Sequence, residues 1–231
     1  MRQLLGFTLF LVILSAASAY LKQRELGEAP PRAVILDSLN MTRGHDFTGR
    51  CTRLLQGHGY RVDSFQGPQV TVDRFRGLKG YRIVVLRVHS GVFEGGAWLF
   101  TGEEYDGSKY VVEQLSDQVH LSRTPNDPRL MFAVGSSFVE HYMGDGLTEG
   151  LVILMGCDAL GVDDLAYAFC SAGASAVVGW DGPVNLSDTD EAVLSLLEEL
   201  LGGASLGEAV ASGGSKLVYY PGDGGGWRLE G

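Results

Sequence analysis

Apolar and polar positions alternate along the chain in blocks that predict strands and helices in turn. Ala33-Val34-Ile35-Leu36-Asp37 is a short apolar run that reads as a buried strand. Residues 48–56 carry helical spacing and stop at Gly57 and Gly59. Residues 60–65 predict a second strand, and residues 71–79 a short amphipathic helix ended by Gly80. In residues 81–88 the run Ile83-Val84-Val85-Leu86 is continuous, as in a strand covered on both faces. Residues 151–155 and 176–180 predict two further buried strands, with a helix from Asp163 to Ser171 between them. The last long helix opens on Ser187 and Asp190 in capping-box spacing. Its apolar face is Ala192, Val193, Leu196, Leu197, Leu200 and Leu201, and Gly202-Gly203 ends it. Ser205 with Glu208 repeats the capping pattern for a final short helix.

Between residues 92 and 149 this alternation breaks. Strand-like pieces at 97–100, 110–115, 119–121 and 130–134 are separated by turn residues, which predicts a β-rich insertion. Elsewhere, strands alternating with helices imply right-handed crossovers. The expected class is α/β, a three-layer α/β/α sandwich around a mainly parallel doubly wound sheet.

Composition narrows the picture. The chain has 231 residues, 45% hydrophobic and 20% charged, enough for one sizeable core. A formal charge of -10 and no basic run argue against nucleic acid as a partner. Residues 1–19 read as a signal peptide or membrane anchor: Arg2, an apolar stretch from Leu4 to Leu14, then Ala17-Ser18-Ala19 as a small-residue cleavage site. Residues 20–32 form a linker, 33–220 the α/β domain and 221–231 a Gly-rich tail. The domain is therefore expected outside the cytoplasm, secreted or tethered through its N-terminal segment. Among the three cysteines, Cys51 and Cys170 either bond to one another or serve as buried small hydrophobes.

In such a sheet, chemistry sits beyond the carboxyl ends of the strands. His89 follows one buried strand directly, in Val88-His89-Ser90-Gly91. Cys157 follows another, in Met155-Gly156-Cys157-Asp158. If the two strands are neighbours, their axes lie roughly 4.8 Å apart. An imidazole there can take the thiol proton and stabilise the nucleophilic thiolate. The amides of Gly91 and Cys157 are candidate oxyanion donors. All five histidines precede Cys157, which excludes nucleophile-before-histidine orders. No histidine pair shares metal-ligand spacing with a carboxylate, so neither a metal nor another cofactor is expected.

Both strand ends, and the segment Ala168–Trp180 with the Pro183-Val184 that follows, resemble the caspase–gingipain–legumain superfamily, most nearly its CHAT and gingipain-like branches. That resemblance implies a caspase-haemoglobinase-like fold hydrolysing peptide bonds, with His89 as general base, Cys157 as nucleophile and a peptide or protein as substrate. It also implies that Trp180 lines the substrate pocket, although a strand-end aromatic suits a core equally. Asp158 and Asp181 are the nearest acids for substrate binding. Two departures stand out: Ser90 separates His89 from Gly91, and Met155 stands where related enzymes place an acid. Some CHAT-like domains are non-catalytic, so the alternative is a binding or assembly module on the same scaffold.

Overall fold

Three strands of this protein are apolar at nearly every position, so each must be covered on both faces. A computed structural model describes residues 29–39, 46–124, 127–147, 149–212, 217–221 and 224–229. The expected signal segment, 1–19, most of the linker, and residues 222–223 and 230–231 of the tail lie outside them. The chain divides after Pro30, and residues 31–231 form the second, compact unit. In the second unit the strands are β1 (Arg32–Asp37), β2 (Arg61–Gln66), β3 (Ile83–Arg87), β4 (Ser90–Phe93), β5 (Gly96–Glu104), β6 (Val119–Ser122), β7 (Met131–Val134), β8 (Gly150–Leu154), β9 (Ala174–Trp180) and β10 (Leu217–Tyr220). The helices are α1 (Phe47–Gly57), α2 (Val72–Arg76), α3 (Val111–Leu115), α4 (Ser136–Met143), α5 (Asp164–Ser171), α6 (Leu186–Leu201) and α7 (Leu206–Ser212).

Six strands form one sheet in the order β10-β9-β8-β3-β1-β2. Its pairs are parallel except for β10, which runs antiparallel along β9 at one edge. Alternation along each strand divides the core in two. Ala33, Ile35, Ile83, Val85, Leu151 and Ile153 pack with α1, α6 and α7. Val34, Leu36, Val84, Leu86, Val152 and Leu154 pack with α2, α4 and α5 on the other side. The α/β class with a mainly parallel sheet is therefore present, with helices on both faces.

A second, antiparallel sheet has the order β4-β5-β7-β6. Its inner face, including Leu99, Phe132 and Val134, joins the core on the α2, α4 and α5 side. Here the structure departs from the expected elements. Residues 110–115 were expected as a strand, but Val111–Leu115 form α3 behind Tyr110, which takes a left-handed backbone (φ 51°) and whose hydroxyl bonds to Glu103 at 3.0 Å. Helix α4 interrupts the β-rich stretch expected for 92–149 and buries Phe138, Val139 and Met143.

Two capping expectations divide. Ser205 and Glu208 form the reciprocal pair, with the Ser205 N–H donating to Glu208 at 2.8 Å. At α6 the N-cap is Asn185, whose side chain makes no capping bond, and Asp190 turns into the core instead. The Cys51–Cys170 disulfide is not formed. Cys51 on α1 lies in one core layer and Cys170 on α5 packs against the other, with the sheet between them.

Candidate active site

Strands β3 and β8 are parallel neighbours, paired from Ile83↔Leu151 to Leu86↔Leu154. His89 and Cys157 stand the same number of positions beyond that last rung, one above each strand. The residues beside them are in direct contact: the Ser90 hydroxyl donates to the Cys157 carbonyl at 2.6 Å. Gly156 makes this approach possible, since a Cβ there would lie 1.9 Å from the Ser90 Oγ and 2.9 Å from the Val88 carbonyl. Asp158 then takes a left-handed backbone (φ 53°), which aspartate tolerates better than most residues. Its N–H donates to the Gly182 carbonyl at 3.1 Å, and Leu160 N–H to the Trp180 carbonyl at 2.9 Å. The Cys157 turn is thus tied to the end of β9.

Those ties bring the Val184 backbone against the nucleophile candidate. Its N–H points at the Cys157 Sγ over 3.5 Å, and its carbonyl lies 3.7 Å from the same sulfur. A thiol can donate to that carbonyl, and a thiolate can accept from that amide. His89 is reached by solvent, yet enough protein surrounds the ring that desolvation holds its pKa below the ordinary histidine value. The carboxylate of Asp127 opposes this shift. Asp127 itself is held at about 2, chiefly by hydrogen bonds from Arg129. His89 is accordingly neutral near pH 7, the form that accepts a proton. Among the described residues no hydrogen bond joins the His89 ring to the Cys157 sulfur.

Behind the two strand ends lies an ion cluster that the sequence reading missed. Arg87, fully buried at the end of β3, donates to Asp190 at 2.7 and 2.9 Å and to Asp37 at 2.8 Å. Asp37 also accepts from the Thr48 hydroxyl at 2.7 Å and from the Leu39 N–H at 3.0 Å. The cluster fixes the carboxyl ends of β1 and β3 and the start of α6 at a single point beneath His89. Its sequence signal is an arginine closing an otherwise apolar strand, where an unpaired charge has no place.

Other expected site residues are placed as follows. Asp158 and Asp181 belong to the loops that surround Cys157, Asp181 being exposed. Trp180 is a correction. It is 5% exposed, paired with Leu217 and packed in the core with α6 and α7, so its ring forms part of the core. Gly91 is a second correction. The Phe100 N–H donates to the His89 carbonyl at 2.8 Å, and bonded pairs alternate in an antiparallel ladder. That alternation turns the Gly91 N–H toward Trp98 within the sheet and the Ser90 N–H toward the open edge. The Ser90 N–H is therefore the amide beside His89 that points away from the sheet. Among the described residues no group of three or more His, Cys, Asp and Glu side chains is arranged to hold a metal. No described helix is long and apolar enough to cross a membrane.

Compared with known proteins, the chain matches no protein-family model, and no curated protein is significantly similar to it.

Proposed function

We propose that this protein is a caspase-like cysteine peptidase that hydrolyses peptide bonds through His89 and Cys157. The observation that carries the reading is the placement of the two residues at equivalent heights above adjacent parallel strands, with Ser90 bonded to the Cys157 carbonyl. The one antiparallel edge strand and helices on both faces of the sheet support the caspase-haemoglobinase-like reading of the fold. The reading of residues 1–19 as a signal or anchor supports a peptide or protein substrate outside the cytoplasm.

In this mechanism the neutral His89 imidazole accepts the Cys157 thiol proton, and the thiolate attacks the scissile carbonyl carbon. The Ser90 and Cys157 N–H groups face the oxyanion. The C–N bond breaks as His89 returns the proton to the leaving amine. Water, deprotonated by His89, then hydrolyses the thioester and frees Cys157. The test is cleavage of a diverse peptide mixture, read by mass spectrometry, with the unaltered protein beside Cys157→Ala and His89→Ala. Cutting is expected to vanish with Cys157→Ala and to fall roughly 10²–10⁴-fold with His89→Ala.

One observation favours a second reading. The Cys157 sulfur rests on the Val184 backbone and is not hydrogen-bonded to His89. A non-catalytic binding or assembly module would keep that arrangement, cut no peptide, and alkylate at Cys157 no faster than a free thiol.

A further inference from the structure

The second sheet buries one face and leaves the other open. Register sets which residues share the open face: Gly91 lies opposite Trp98, and Ala133 opposite both Phe100 and His120. The bond from the Phe100 N–H to the His89 carbonyl extends this ladder by one pair. By the two-residue period of a strand, His89 then falls on the same face as Gly91. Gly91, Trp98, Phe100, His120 and Ala133, though not His89 itself, border a cavity of about 200 Å³, with Phe93 on its wall. The Trp98 and His120 rings stack at 4.2 Å between centroids, and Phe93 meets His120 edge-on at 6.3 Å. Phe93 is nonetheless 57% exposed. The lining is apolar and aromatic except for a rim that carries Ser122 and Arg123.

We propose that this cavity is the subsite for a large apolar or aromatic side chain of the peptide substrate, close to the bond that is cut. The inference rests on the peptidase reading and names the substrate class for the same site. Three features select a peptide as the occupant. Strand β4 begins directly after His89, and Gly91 lies about 7 Å further along it, the rise of two strand residues. Strand β4 is also an edge of its sheet, and the ladder turns the Ser90 and Val92 N–H and C=O groups outward. An extended chain can pair with that edge, which places every second side chain over the open face. Finally, a phenyl or indole ring suits a cavity with about the volume of seven waters at roughly 30 Å³ each. Arg123 at the rim disfavours a lysine or arginine there.

The test is calorimetric binding of capped hexapeptides to the full-length Cys157→Ala protein. Each position in turn carries Phe, Leu, Ala, Asp or Lys. Phe and Leu at one position are expected to bind about 10–100-fold tighter than Ala, Asp or Lys. Gly91→Val narrows the cavity without backbone strain, because a Cβ there meets only the Phe100 ring, at 3.8 Å. It should erase that advantage, and Trp98→Ala should weaken it. Equal binding across the series, no binding of any peptide, or a preference untouched by both variants overturns the subsite. Selective binding without any cleavage by the unaltered protein defeats the peptidase reading while the subsite stands. Cleavage without selectivity defeats the subsite alone.

Discussion

Replacing Arg87 with methionine should unfold this protein more readily than almost any other single change near the site. Arg87 makes three charge-assisted bonds, at 2.7, 2.8 and 2.9 Å, to two carboxylates that are themselves buried. Such bonds are individually worth about 1.5–3 kcal/mol, but the desolvation of all three ions offsets much of their sum. What the variant exposes is the uncompensated remainder, two carboxylates without a cation, at a cost of about 3–5 kcal/mol. For a chain of this size that is a drop of roughly 6–20 °C in melting temperature. The assay is thermal and urea unfolding of Arg87→Met beside the triple variant Arg87→Met/Asp37→Asn/Asp190→Asn. Neutralising both acids should restore much of the loss, because neutral groups of similar shape carry no stranded charge. A single variant within about 1 kcal/mol of the unaltered protein, or a triple variant less stable than the single, would refute the reasoning.

Three further outcomes follow from the site. His89 has a folded-state pKa below its unfolded value, so the native state resists protonation; stability should be full above about pH 6.5 and decline as pH falls below it. His89→Gln should flatten that acid-side decline in urea midpoints taken between pH 7.5 and 5, and an unchanged profile would count against the shift. Burial pushes the Cys51 thiol up to about 12 and raises Cys170 as well, so iodoacetamide at pH 7.5 should modify Cys157 first and Cys51 only after unfolding. Native-state labelling of Cys51 at the rate of Cys157, read by mass spectrometry, would contradict this. Gly156→Ala sets a methyl group 1.9 Å from the Ser90 Oγ, which should break the Ser90–Cys157 bond, cost about 1–3 kcal/mol and depress any peptide cleavage. Unchanged melting and unchanged cutting together would show that the turn has slack.

Several features were written into the sequence because they depend on near neighbours. The unbroken apolar runs at Ile83–Leu86 and Leu151–Leu154 required strands covered on both faces, and the structure supplies helices on each side. The Ser205–Glu208 cap formed because both partners lie within one helical turn. The same reasoning failed at Asp190, whose spacing from Ser187 is that of a cap. A buried guanidinium distant in sequence offers that carboxylate two short bonds, which outweigh a solvent-exposed cap. It failed again at Tyr110–Leu115, where strand-forming residues became helix behind a left-handed Tyr110 bonded to Glu103.

The candidate site divides along the same line. That His89 and Cys157 each close a buried strand was legible from hydrophobic runs alone. Whether those strands touch was not, since β3 and β8 are separated in sequence by the whole second sheet, α3 and α4. Trp180 shows the reverse: a strand-end aromatic has no sequence mark for which side of the sheet it faces, and packing with α6 and α7 assigned it to the core. Gly91 was legible as a glycine beside the site, but only the ladder with β5 shows that its amide is engaged and that the Ser90 amide faces outward. Local spacing therefore determined which residues end strands and which face alternates. Pairing order, the buried Arg87 cluster and the open aromatic face arise from contacts between distant segments, and tertiary structure alone decided them.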